Sequence, residues 1–195
     1  MFELTLVRCF TFTTMILLPA CTYGNSGLRE LLQMFTSQRV WIYAQSYKQY
    51  YRGRPAGCFV YNKEILRRTF YNFSFDVVTD LKTYYLEYHA RLGVDVQGNA
   101  FMSIYGRRHW RPFTKTLKHW DNVRRCGILK FQRQGQDHCE LLVWDRRIRQ
   151  VYEQHQNYTD CHEEYRTHCG NASFLVQLHR SCPNFVSAAQ HWKYE

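Results

Sequence analysis

Glu140 is the side chain with the clearest chemical potential. It lies in the run Cys139–Trp144 (CELLVW), where Leu142 and Trp144 share its alternation. A carboxylate on an otherwise apolar strand face must be paired, protonated, or turned toward water or a ligand. As the counter-charge of an ammonium, with aromatic rings adding cation–π contacts, it would recognise an amine. Paired with an Arg inside the fold, it would be structural. Two other clusters invite chemistry. The stretch His162-Glu163-Glu164-Tyr165-Arg166-Thr167-His168 suggests zinc, yet the metalloprotease pattern needs His residues four apart on one helical face, and Arg166 occupies that position. Cys161, His162, His168 and Cys169 could ligate zinc in principle, but in an oxidising compartment such cysteines form disulfides. No metal, no other cofactor and no catalytic residue is expected, because no nucleophile elbow, Gly-rich phosphate loop or Cys/His dyad in a recognisable context is present. The chain does not read as an enzyme.

The third cluster is cationic. Gly106–Arg125 carries Arg107, Arg108, Arg111, Lys115, Lys118, Arg124 and Arg125 against the one acid Asp121, and Arg146, Arg147 and Arg149 add a second group. Arg107, Arg108, Arg111 and Lys115 are the expected contacts for a polyanion such as a glycosaminoglycan. Charge solvated on loops is the alternative.

These residues need a scaffold, and the pattern of the chain points to strands. Cys126–Phe131 and Cys139–Trp144 are rich in β-branched, aliphatic and aromatic residues, and a polar turn at Gln134-Gly135 separates them. With those two residues as the loop, Cys139 lies opposite Lys130. Gly127, Leu129 and Phe131 then point the same way as Glu140, Leu142 and Trp144. The opposite face carries Cys126 and Cys139 with Ile128, Lys130, Leu141 and Val143. Four rows, roughly 13 Å at strand rise, keep those two cysteines from bonding each other.

Upstream, Leu28, Leu31, Leu32 and Phe35 recur at helical spacing after Ser26, a good N-cap, giving a helix from Gly27 to about Thr36. Strands are expected over Arg39–Tyr50, Cys58–Asn62, Thr69–Val78, Lys82–Ala90 (with Thr79-Asp80 turning), Ala100–Tyr105 and Trp110–Leu117. Tyr71, Phe73 and Phe75 form one inward row. Asp145–Asn157 reads as a long loop or short helix, Asp160 can cap a helix across Cys161–His168, and Phe174–Leu178 reads as a last strand. Short strands at regular spacing with a helix near each end fit an antiparallel barrel.

The N-terminus resembles a signal peptide: Arg8 precedes the apolar run Cys9–Leu18, followed by small residues suited to cleavage after Gly24 or Ala20. The run is too short and Thr-rich for a membrane span, and no other segment is long enough. The expected organisation is a signal peptide over 1–24, a barrel domain over 25–183 and a tail over 184–195. Cleavage at Gly24 leaves Cys58, Cys126, Cys139, Cys161, Cys169 and Cys182, an even count that implies three disulfides with fifteen possible connectivities. Sequons at Asn72, Asn157 and Asn171 fit a secreted glycoprotein. Export with disulfides argues against nucleic acid as a partner.

Cys126-Gly127-Ile128, then Glu140-Leu141-Leu142, then Cys161 resemble the signature of tick salivary lipocalins of the histamine-binding type. Val40-Trp41-Ile42-Tyr43 with Tyr47-Lys48, Gly57-Cys58-Phe59-Val60-Tyr61, and His179-Arg180-Ser181-Cys182 extend the likeness over about residues 25–183. It implies an all-β, eight-stranded antiparallel lipocalin-like barrel with a short N-terminal and a short C-terminal helix. It also implies the disulfides Cys58–Cys182 and Cys126–Cys161, which leaves Cys139–Cys169. The ligand-binding residues expected under it are Glu140, Tyr47, Tyr50, Phe101, Leu142 and Trp144. Its function would be extracellular: a monomer that sequesters a small host mediator, an eicosanoid-like lipid or a biogenic amine, against inflammation or haemostasis. The other function considered is a surface-binding module for complement, clotting factors or glycosaminoglycans. Gly127 stands where amine-binding members have Asp, Leu142 where they have Trp or Tyr, and Tyr50 where they carry an acid after the first strand. One carboxylate is left, which favours an apolar or anionic lipid over an amine.

Overall fold

The computed structural model describes residues 26–79, 82–106, 112–170, 176–177 and 182. The expected signal peptide and C-terminal tail, Arg107, Arg108, Arg111 and Asn171 lie outside them. The elements in chain order are α1 (Ser26–Met34), β1 (Arg39–Gln45), β2 (Tyr50–Tyr51), β3 (Arg54–Arg67), β4 (Phe70–Thr79), β5 (Thr83–Val94) and β6 (Ala100–Gly106). They continue with β7 (Phe113–Asp121), β8 (Cys126–Arg133), β9 (Gln136–Trp144), α2 (Asp145–Glu153), α3 (His162–Cys169) and β10 (Val176–Gln177).

Each strand from β3 to β9 pairs antiparallel with its sequence neighbour, and β1 closes the ring by pairing with both β9 and β3. This is an eight-stranded antiparallel barrel with a few short helices, the lipocalin architecture. The short β2 extends β3 at one end, and β10 lies along the last two residues of β1. Closure gives every strand of the ring a partner on each side along part of its length.

The β8–β9 hairpin has the register read from its sequence: Lys130 is opposite Cys139 and Leu129 opposite Glu140. Gln134 and Gly135 both have positive φ, 54° and 77°, as a two-residue hairpin turn matching strand twist requires. Alternation sorts the side chains into two cores. Leu129 and Leu142 join Val40, Ile42, Tyr71, Phe73, Leu92 and Met102 inside the barrel. Cys126, Ile128, Cys139, Leu141 and Val143 join Trp41, Tyr43 and Val60 outside it, beneath Ile148 and Val151 of α2 and Tyr165 of α3.

Three disulfides secure that outer layer: Cys126–Cys161, Cys139–Cys169 and Cys58–Cys182. Each contributes about 2–4 kcal/mol by restricting the unfolded chain. Two of them attach α3 and the residue before it to the paired strands β8 and β9. Asp160 does not cap α3; Cys161 occupies that position with φ 57°, and the Asp160 carboxylate instead pairs with Arg147 at 2.7 Å.

The helix α1 enters one end of the barrel with Leu31, Met34 and Phe35 fully buried. Beneath it, Gly127 is the residue that makes room: a Cβ there would stand 2.6 Å from the Met34 sulfur. The Trp144 indole N–H donates to the Met34 carbonyl at 2.8 Å and locks the helix in place.

Some strand limits differ from the sequence reading. β1 ends at Gln45 rather than Tyr50: its ladder with β9 passes a bulge after Ile42, resumes at Ala44 and Gln45, and finishes with the Ser46 amide bonding the Cys139 carbonyl. β7 begins at Phe113 among the described residues and runs on to Asp121, past the expected Leu117. A bulge at Lys118 lets it follow β8 to Cys126. β3 runs from Arg54 to Arg67, well beyond Cys58–Asn62, through two irregularities in its ladder with β4. Asn72 lies half-buried on the outer face of β4 between Ile65 and His89, and Asn157 is exposed.

Candidate functional site

At the end opposite α1 the barrel holds a cavity of about 360 Å³. Phe75, Tyr88, Ile104, Phe113 and Phe131 make its walls; Tyr47, Gln49, Tyr61, Lys115, Arg133 and Glu140 supply its polar groups. The size lies within the usual range for small-ligand sites, and the composition, mostly aromatic with a few polar groups, is typical of them.

Glu140 is at the floor, 1% exposed. Its carboxylate is fully engaged. Tyr47 donates to Oε1 at 2.5 Å, Lys115 to Oε2 at 2.5 Å, and Tyr61 to Oε2 at 3.3 Å. Four parts of the chain meet here: the segment after β1, β3, β7 and β9. Burial, reinforced by the Glu140 charge, raises the Tyr47 and Tyr61 hydroxyls well above the usual phenol range, so both remain donors. Burial lowers the Lys115 ammonium, while the adjacent carboxylate opposes that shift. Lys115 also donates to the Tyr61 hydroxyl at 2.8 Å and stands 4.9 Å from the Phe131 ring centroid. The arrangement is a neutral, hydrogen-bonded ion pair under an aromatic chamber.

Lys115 therefore departs from the expectation for it. Only 4% exposed, it cannot join a surface polyanion site. The signal was legible: Phe113, Lys115 and Leu117 alternate, and an inward Phe and Leu carry Lys115 inward with them. In the second basic group, Arg147 pairs with Asp160 and Arg149 with Asp145, both on the surface.

Of the expected ligand-binding residues, Glu140 and Tyr47 line the cavity and four do not. Tyr50 is 60% exposed in β2, outside the barrel ring. Phe101 is on the outer face of β6, its ring lying over Gly93, because Ala100 and Met102 take the inward positions. Leu142 points inward but is sealed in the core beneath α1. Trp144 is committed to the Met34 carbonyl, with its ring 5.7 Å from that of Trp120 and the Arg125 guanidinium 4.5 Å away. Sequence reasoning missed Gln49, Tyr61, Tyr88, Ile104, Phe113 and Arg133, and assigned Lys115 to the surface cluster. Phe75 and Phe131 had been assigned to inward faces without being assigned to a ligand.

Gln45, directly across from Glu140 on β1, is 1% exposed, and neither atom of its amide has a partner among the described residues. No group of His, Cys, Asp and Glu among the described residues is arranged to hold a metal ion. No helix among them is long and apolar enough to cross a membrane.

No family model matches this chain, and no curated protein sequence matches it. Among solved structures it is similar to Japanin from Rhipicephalus appendiculatus bound to cholesterol, at 14% identity and a TM-score of 0.44, over 62% of this chain and 88% of that one. At that level the likeness adds nothing to the strand pairing, which defines the barrel by itself.

Proposed function

We propose that this protein is a secreted binding protein that sequesters a small, largely apolar mediator in the open half of its barrel. Its action is by withdrawal of the ligand, without chemistry. The observation that carries this reading is the saturation of Glu140. The one carboxylate of the cavity already holds an ammonium and two phenols within an aromatic chamber. An incoming amine would have to displace Lys115 and leave its charge buried and unpaired, which is costly. A lipid needs no such exchange and gains from burying its chain against Phe75, Phe113 and Phe131.

The resemblance to tick salivary lipocalins supports an extracellular, host-directed role against inflammation or haemostasis, and the three disulfides fit an oxidising compartment. Of the two described sequons, Asn157, exposed after α2, is better placed than half-buried Asn72 to carry a glycan. Native mass spectrometry of the protein from its source should reveal a retained small molecule, and calorimetry should give heat with a long-chain lipid but none with histamine or serotonin. Tight amine binding would overturn the ligand class while leaving the barrel as it is.

A further inference from the structure

Among the described residues, three charged side chains line the cavity: Glu140, Lys115 and Arg133. The first two cancel each other across 2.5 Å at the floor. Arg133 is different. It is the last residue of β8, exposed beside the Gln134-Gly135 turn, with Gln136 opposite it on β9. Among the described residues no carboxylate pairs with it. The described part of the lining thus carries one uncompensated positive charge, and it is at the mouth.

The two ends of the cavity impose opposite demands on a ligand. At the floor, Lys115 is engaged by Glu140 and Tyr61 and stands over the Phe131 ring, so an anion arriving there would meet the Glu140 charge. At the mouth, a guanidinium offers paired N–H donors with the fork geometry that a carboxylate accepts.

We propose that Arg133 is the specificity-determining residue of the cavity, selecting a lipid carboxylate and holding it head outward with its chain among the aromatic walls. This rests on the reading of the cavity as a lipid site and adds the head group and the orientation. Arg133 is an exposed strand end in neither core, so replacing it leaves both cores untouched.

The experiment compares oleate with oleyl alcohol, which share a chain and differ in the head, by displacement of a neutral fluorescent apolar probe. The wild-type protein should prefer oleate by about tenfold, a preference that shrinks with added salt. Arg133→Gln should abolish it by weakening oleate alone, and Arg133→Lys should retain most of it. A preference that survives Arg133→Gln, or is absent from the wild type, overturns the role of Arg133 while alcohol binding keeps the cavity reading. If neither lipid binds, both readings fall.

Discussion

The two halves of this barrel share eight strands and one alternation of side chains, yet they solve opposite problems. In the closed half, Leu31 and Met34 of α1 and Phe35 just after it fill the lumen, and Gly127, Trp120 and Trp144 fit around them. In the open half no helix enters among the described residues, and the space is bounded by aromatic rings over a buried ion pair. The difference teaches where binding capacity comes from. A barrel of this size fills itself unless something keeps its side chains apart. Here the ion pair does that, because Lys115 and Glu140 must stay hydrogen-bonded to each other and to two tyrosines, and cannot collapse into the void.

The most severe way to break that contrast is to remove one member of the pair. Glu140→Gln should destabilise the fold by about 3–5 kcal/mol in urea unfolding, since Lys115 is left buried without its counter-charge. Combining it with Lys115→Met should restore most of the loss, as coupled neighbours do. A single variant as stable as the parent would mean that the pair is not dry.

Met34→Ala attacks the other half. It should cost about 3 kcal/mol by opening a cavity over Gly127, and it should leave lipid affinity unchanged, because Met34 is remote from the open chamber. An equal loss of binding would show that the halves communicate. Trp144→Phe removes the indole bond to the Met34 carbonyl and should lower stability by about 1 kcal/mol.

The smallest effects belong to the turns at the two ends. Asp95, bonded by the Asn99 side chain and by the backbone amides of Asn99 and Gln97, titrates below the usual carboxylate range. Asp137 does so through its bond from Lys130. A carboxyl lowered by folding stabilises above its unfolded pKa, about 4, and loses that contribution as the pH falls through its folded value. Melting temperature should therefore decline below about pH 4, and Asp95→Asn or Asp137→Asn should each flatten the decline slightly.

Alternation made the β8–β9 hairpin legible to the residue: its register, its two faces and the separation of Cys126 from Cys139 all follow from period two and a two-residue turn. The floor of the site was half legible. Glu140 stood out because it interrupts an apolar face; its partner Lys115 could be read from the alternation of Phe113 and Leu117, but the neighbouring cations Arg107, Arg108 and Arg111 drew it into a surface cluster. Phe101 and Tyr50 misled for different reasons. The inward row of β6 starts at Ala100, a small residue that does not advertise a core position, and β1, shifted in register by a bulge, stops at Gln45 before Tyr50 is reached. Bulges are set by tertiary fit, and a single sequence carries little trace of them.

The ring is closed by its earliest strand. β1 pairs with β3 nearby and with β9 far along the chain, and the Trp41 indole reaches the Asp145 carboxylate at 2.7 Å across a separation of 104 residues. On a ribosome, β1 is made first but cannot find its second neighbour until the hairpin strands have emerged. Until then its inner and outer faces, Val40 and Ile42 on one side and Trp41 on the other, are exposed together with an unpaired edge. Contacts of such separation make for slow closure and for an interval in which the open ring is prone to associate with others of its kind. The strand that completes the container is thus the one that waits longest for its second neighbour, and the Cys139–Cys169 disulfide then ties that neighbour, β9, to α3.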